Sequence, residues 1–191
     1  MPARESLASR ALGVAAAAAL TLAAACGGTP AKEETAAAGS AMAVAKLIPR
    51  NGSTVRGVIS FTQRGDRVAI AAQFFELFPG QHSLYIHQNG NCSSSNAASA
   101  GPVWNVAADT RGKRTGDLPL VVAGTEGRAE LSTSVSGLSV GTGKPDDVIG
   151  HSVVIHADVD RDPKPIFGEH NGWIACGVIQ RSDAPTLKDL L

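Results

Sequence analysis

The sequence predicts an all-β fold, a sandwich or flattened barrel built from eight short strands. Short segments with an extended pattern recur along the chain, with turn signals between them. The composition agrees with this prediction, because 21 glycines accompany an aromatic content of only 4%. No long segment carries the pattern of an amphipathic helix. This combination is typical of domains made of many short strands and turns.

Turns and one long loop separate the candidate strands. A turn cluster at 49–52 follows the first strand, and another at 63–66 follows the second. The stretch 88–116 is rich in Asn, Ser, Gly and Ala, and irregular stretches of this length in compact domains are uncommon and usually functional. The predicted strands lie at 43–47, 55–61, 68–74, 83–87, 120–122, 129–133, 152–156 and 174–179.

The N-terminus predicts an exported protein. Residues 12–25 form an uncharged apolar run of the length of a signal-peptide core, which is shorter than the roughly 20 residues of a spanning helix. Small residues precede Cys26, an arrangement that resembles a bacterial lipobox. We therefore expect a signal peptide at 1–25 and a lipid on Cys26 that holds the protein at a membrane, on its periplasmic or extracellular face. Alternatively, an ordinary signal peptide is removed near the same alanines and Cys26 is incidental.

The rest of the chain divides into three parts. Residues 27–41 contain no large apolar side chain before Met42, so they bury too little surface to order and are predicted to form a flexible linker. Residues 42–180 have the usual length of one domain, and 181–191 form a weakly patterned tail. Without 1–25 the chain has 15 basic and 16 acidic residues, which argues against nucleic-acid binding. The identity of any protein partner is not predicted.

Two cysteines remain once Cys26 is assigned to the lipid. Cys92 and Cys176 form an even pair in a chain predicted to enter an oxidising compartment, where disulfides persist. A bridge between them closes a loop long enough to contribute about 4 kcal/mol by restricting the unfolded chain. The alternative is two free thiols.

Five segments, in order, resemble the motifs of copper/zinc superoxide dismutases. The first combines a histidine-rich strand with a following Gly-x-Cys, and the last contains the second cysteine. The resemblance implies that family's Greek-key β-sandwich and a redox cycle at copper. The segments are PGQHSLYIHQNGNC (79–92), SAGPVWN (99–105), GDLP (116–119), GHSVVIHAD (150–158) and ACGVI (175–179).

In this family, four histidines hold the copper, and imidazole suits both of its oxidation states. The resemblance aligns Tyr85 with the first of these histidines and Val103 with the third, which bridges copper to zinc. His87 and His156 keep the second and fourth positions. These two residues are therefore the candidate copper ligands.

The zinc positions are more altered. The family holds zinc with the bridging histidine, two further histidines and an aspartate, but no histidine lies between His87 and His151 here. Arg114 aligns with the last zinc histidine, and Asp117 keeps the aspartate. A fixed positive charge opposes a dication, so zinc is not expected, and we predict that Arg114 pairs with Asp117.

Two further residues align with positions of known role in the family, and a third lies in one of its loops. His82 aligns with a histidine that hydrogen-bonds backbone segments beneath the site. Trp173 aligns with the arginine that guides the anion, and we expect its ring to cover the pocket, so no catalytic residue is assigned. His170 lies in the loop over the site, where it is a candidate third copper ligand.

Two functions are compatible with these residues. The first is an exported dismutase-like lipoprotein with a degenerate metal site and little or no dismutase activity. The alternative is a weak copper-dependent dismutase, or a periplasmic copper-binding protein, that uses His87 and His156. The sequence leaves open whether the chain is an enzyme.

Overall fold

A computed structural model describes residues 40–106, 112–157 and 172–183, all within one compact unit, Ala36–Leu191. These residues form ten β-strands and a short 3₁₀ helix at Ala98–Ala100. No helix in the described ranges has the length and apolarity needed to cross a membrane. The strands are β1 (Met42–Pro49), β2 (Arg56–Arg64), β3 (Arg67–Phe75), β4 (Gly80–His82), β5 (Leu84–His87), β6 (Val121–Ala123), β7 (Ala129–Ser136), β8 (Ser152–His156), β9 (Trp173–Val178) and β10 (Gln180–Ser182).

One curled antiparallel sheet organises these strands, in the order β5-β8-β9-β1-β2-β3-β7. Strand β1 pairs with β2 along one edge and with both β9 and β10 along the other. Strands β4 and β6 form a separate two-stranded sheet. The all-β fold class predicted from the sequence is confirmed.

The core follows from side-chain alternation along the strands. In β3, every second residue from Val68 to Phe74 is buried, because successive side chains of a strand point to opposite faces. Phe61 of β2 and Trp104 of the long loop lie in the same buried cluster. Each such large apolar side chain contributes about 1.5–3 kcal/mol relative to an exposed one.

All eight predicted strands are present, and two short ones were missed. Strand β4 directly precedes the predicted strand at 83–87, and β10 includes Arg181 and Ser182, so the expectation that these two residues belong to the tail is wrong. Both missed strands are three residues long and lack the apolar, β-branched residues that mark the equally short β6. Strand β4 pairs with β6, and β10 pairs with β1.

A disulfide ties the long loop to the sheet. Cys92 and Cys176 are bonded, with their Cα atoms 5.8 Å apart and a sequence separation of 84. Cys176 lies in β9, two strands from β5 in the sheet. The bridge therefore fixes the loop that follows β5 against the strand that begins at Trp173.

Candidate metal centre

Strands β5, β8 and β9 bring the candidate site together. Tyr85 and His87 are two residues apart on β5, so their side chains share one face. His156 ends β8, at an irregularity in its pairing with β9, and lies opposite Trp173. These four side chains form one aromatic cluster.

His87 is fully buried, and its ring is held by the long loop. Its Nδ1 lies 2.7 Å from the backbone oxygen of Gly101 and donates to it. A neutral imidazole carries a single N–H, so this bond leaves Nε2 as the nitrogen with the lone pair. A lone pair on Nε2 is the form in which histidine binds a metal.

His156 is also buried, with 7% of its surface exposed. Its Nε2 makes no hydrogen bond within the described residues. Burial lowers the pKa of His156 to about 3, with smaller contributions from His87 and from the positive charge of Arg114. The ring is therefore neutral at physiological pH and retains a lone pair.

Trp173 lies over both histidines. Its ring centroid is 4.5 Å from that of His87 and 5.5 Å from that of His156. Tyr85 contacts His156 edge-to-face at 4.9 Å and lies 6.4 Å from His87. Only 9% of the Trp173 surface is exposed, so its ring occupies the position expected of a cover over the pocket.

Arg114 and Asp117 form the ion pair that the sequence predicts. Arg114 donates from Nε to Asp117 Oδ1 at 2.9 Å, and its backbone N–H donates to Oδ2 at 2.7 Å. The guanidinium also lies over the ring of Tyr85, 5.1 Å from the centroid. The backbone of Asp117 bridges to that of Tyr85. This pair connects the long loop to β5.

These residues do not fit zinc. Both carboxylate oxygens of Asp117 are already engaged by Arg114. Val103 is placed beside His87 by a backbone bridge, and its side chain has no donor atom. The described ranges contain no group of three or more His, Cys, Asp or Glu side chains able to hold a metal ion.

The two histidines do fit a two-coordinate ion. An imidazole nitrogen lies roughly 1.2 Å from its ring centroid and about 2.0 Å from a bound first-row metal, so a collinear arrangement separates two centroids by about 6.4 Å. The centroids of His87 and His156 are 6.3 Å apart. Copper in its monovalent state, a soft ion, is the family metal that such a pair would hold.

His82 lies beneath this pocket. It is 1% exposed, and its Nδ1 is 2.9 Å from the backbone oxygen of His156. Its Nε2 is 2.8 Å from the backbone oxygen of Phe78. The ring thus spans two backbone segments, the role that the resemblance implies for it.

One contact beside the site was not anticipated. Trp104 packs in the core, and its ring stacks on His151 at a centroid distance of 4.0 Å. His151 in turn donates from Nδ1 to the backbone oxygen of Gln88 at 2.8 Å. Nothing in the sequence indicated that these two rings are in contact. Two candidate residues, His170 and Cys26, lie outside the described residues.

Comparisons with known proteins identify the family of the chain. Residues 55–179, more than half of the chain, match the family model for copper/zinc superoxide dismutase. An extracellular copper-zinc superoxide dismutase of Brugia pahangi is 33% identical over 155 residues, which cover 73% of this chain and 76% of the relative. A copper-zinc superoxide dismutase of Onchocerca volvulus is 33% identical, covering 67% of this chain and 90% of its own. The solved structure of the clock protein EA4 has a TM-score of 0.61 at 27% identity, covering 74% of this chain and 94% of its own. The chain therefore belongs to the copper/zinc superoxide dismutase family.

Proposed function

We propose that this protein is an exported, lipid-anchored member of its family with little or no superoxide dismutase activity. The observation that carries the proposal is the indole of Trp173, which packs on His87 and His156 where the family has a guiding arginine. In this arrangement the pocket that holds the two histidines is covered by an apolar ring.

The electrostatics of the pocket support this proposal. Superoxide is an anion, and its approach to copper depends on positive potential. Trp173 contributes no charge. The nearby cation, Arg114, has its charge offset by Asp117 at 2.9 Å. An anion therefore gains little by approaching the buried histidines and loses its hydration when it does so.

The set of metal ligands in the pocket also supports the proposal of little or no dismutase activity. Dismutation requires copper to alternate between two oxidation states, and divalent copper prefers tetragonal sites with several nitrogen or oxygen donors. Within the described ranges the pocket offers two imidazoles, while Tyr85 and Val103 replace the others. Tyr85 presents its ring edge-to-face to His156 and carries Arg114 over its own ring. A pair of imidazoles favours monovalent copper and so impedes the cycle.

Export and anchoring are supported by two observations. The disulfide between Cys92 and Cys176 is of a kind that persists in oxidising compartments. The relative from Brugia pahangi is described as extracellular. We propose that Cys26 carries the lipid and that residues 27–41 link it to the domain at 42–180. A Cys26→Ser variant should move the protein from the membrane to the soluble fraction, and an unchanged distribution would argue against the anchor.

A second candidate function is copper binding without turnover, or a weak copper-dependent dismutase activity. The observation that favours it is the 6.3 Å separation of the His87 and His156 rings, which matches two-coordinate binding. In this candidate the two imidazoles hold copper and supply its only nitrogen ligands among the described residues. The rest of the chain buries the ion.

One experiment tests both candidates. The full chain, purified in detergent, is incubated with copper and zinc, and the bound metals are measured together with superoxide consumption by stopped-flow spectroscopy. We expect no zinc, and superoxide decay within about twofold of a protein-free control. A His87→Ala variant is the matched control for any activity seen. Rapid decay that depends on His87 would overturn the main proposal, whereas bound copper without decay would favour copper binding.

A further inference from the structure

The space between the two histidines lies within reach of two aromatic rings. The separations of 4.5, 5.5 and 6.3 Å among Trp173, His156 and His87 fix a triangle of ring centroids. From these three sides, the midpoint between the two imidazole centroids lies about 3.9 Å from the indole centroid. This is well inside the limit of about 6 Å for a cation–π contact. The same construction for Tyr85 gives about 4.8 Å, also inside that limit.

Each imidazole has a nitrogen that is able to act as a metal ligand. The Nδ1 of His87 is committed to the backbone oxygen of Gly101, which fixes the ring and leaves Nε2 as its lone-pair nitrogen. The Nε2 of His156 is buried and makes no hydrogen bond within the described residues. A buried polar atom in this state is costly, and a metal ion between the rings would remove the cost.

The charge of the surroundings selects a monovalent ion. His87, His156 and Trp173 carry no negative charge, and the carboxylate of Asp117 is engaged by Arg114. The Born cost of burying an ion rises with the square of its charge, so a dication costs roughly four times as much as a monocation. The guanidinium of Arg114 over Tyr85 adds repulsion that is twice as large for a dication.

We propose that His87, His156 and Trp173 form a binding site for monovalent copper, in which the imidazoles are the ligands and the indole face is a cation–π partner. This inference rests on the second candidate function and goes beyond it. It gives Trp173 a role in binding the metal, in addition to covering the pocket.

The test uses monovalent copper supplied without oxygen, in competition with a colorimetric chelator, and the full chain in detergent. We expect one copper per chain. Trp173→Leu keeps an apolar side chain but removes the π system, so it should weaken copper binding by about tenfold, or 1.4 kcal/mol, a typical size for a buried cation–π contact. The copper affinity of Trp173→Phe should lie between those of the parent chain and Trp173→Leu, because phenylalanine is a weaker π partner than tryptophan.

The second tryptophan provides a matched control. Trp104 packs in the core against His151, on another face of the sheet from the pocket, so Trp104→Phe should retain the copper affinity within about twofold. This variant also leaves Trp173 as the protein's one tryptophan. Its fluorescence should then change on addition of monovalent copper and not on addition of zinc. Thermal unfolding of each variant shows whether the fold has been kept.

The outcomes separate this inference from the proposed functions. An unchanged or tighter copper affinity in folded Trp173→Leu would overturn the role of Trp173 while leaving copper binding in place. Binding of zinc or divalent copper as tight as that of monovalent copper would overturn the selectivity. A chain that binds no monovalent copper would overturn the inference and the second candidate together, and leave the proposal of an inactive dismutase standing.

Discussion

At the copper positions two histidines remain beneath aromatic rings, whereas at the zinc positions an ion pair joins the loop to the sheet. Burial dominates the first region, where His87 is fully enclosed and Trp173 is 9% exposed. The second region is wetter, since the side chains of Arg114 and Asp117 are 40% and 21% exposed. The comparison teaches that the replacement of metal ligands can be offset by packing in a buried region and by an ion pair in a partly exposed one.

The largest expected effect lies in the buried region. Trp173→Ala should lower the free energy of unfolding by about 3–5 kcal/mol, because it opens a cavity between two buried rings. Urea unfolding followed by circular dichroism measures this loss. A loss below about 1 kcal/mol would mean that the indole does not pack on His87 and His156, and that the copper region is as wet as the zinc region.

The next effect is a pH dependence from the same region. Since the pKa of His156 is lowered to about 3 from 6.5, the unfolded chain binds more protons than the folded chain between these values. Stability from this group is therefore full above pH 6.5 and falls towards pH 3, by up to about 1.4 kcal/mol per pH unit. His87 and Arg114 are the other charged or titratable groups that act on it.

A substitution isolates the contribution of His156 to that slope. His156→Asn removes the titrating ring, so metal-free unfolding at pH 4 and pH 7 should differ less in the variant than in the parent chain. Carboxylates elsewhere titrate in both proteins and cancel in the difference. Equal slopes for the two proteins would show that His156 does not lose its proton on folding.

The sequence predicted much of the fold because most strands are long enough to show their pattern. The motifs also placed His87, His156 and Trp173 at one site. Strands β4 and β10 could not be predicted, because their few residues are glycine or polar and their pairing partners are distant in the chain. The same limit applied to the stacking of His151 on Trp104, which depends on how the long loop returns to the sheet.

The sequence also predicted only part of the interactions among the side chains of the site. The alignment of both residues with zinc positions of the family predicted the pair of Arg114 and Asp117. The contact of the same guanidinium with the ring of Tyr85 depends on the register between the loop and β5. The strongly lowered pKa of His156 likewise depends on burial contributed by several strands, which no local pattern reveals.

A smaller effect is expected in the partly exposed region. Asp117→Ala should cost about 1–2 kcal/mol, since it removes an ion pair and the acceptor of the Arg114 backbone N–H. Arg114→Met should cost about 0.5–1 kcal/mol, because exposed ion pairs contribute little and the methionine retains part of the contact with Tyr85. Both losses are measured by urea unfolding. If either matched that of Trp173→Ala, the contrast between the two regions would be wrong.

The smallest expected effect is the change in unfolding temperature when a metal is added, and it should differ between the two regions. Ligands stabilise a fold only as far as they bind it, so zinc below its dissociation constant adds less than about 0.4 kcal/mol. We expect zinc to leave the unfolding temperature unchanged in the parent chain, because Arg114 occupies Asp117. Monovalent copper should raise it, through His87 and His156. The opposite result would be stabilisation by zinc that persists in His87→Ala and is absent in Asp117→Ala. It would place a zinc site at the ion pair and would show that zinc displaces Arg114 from Asp117.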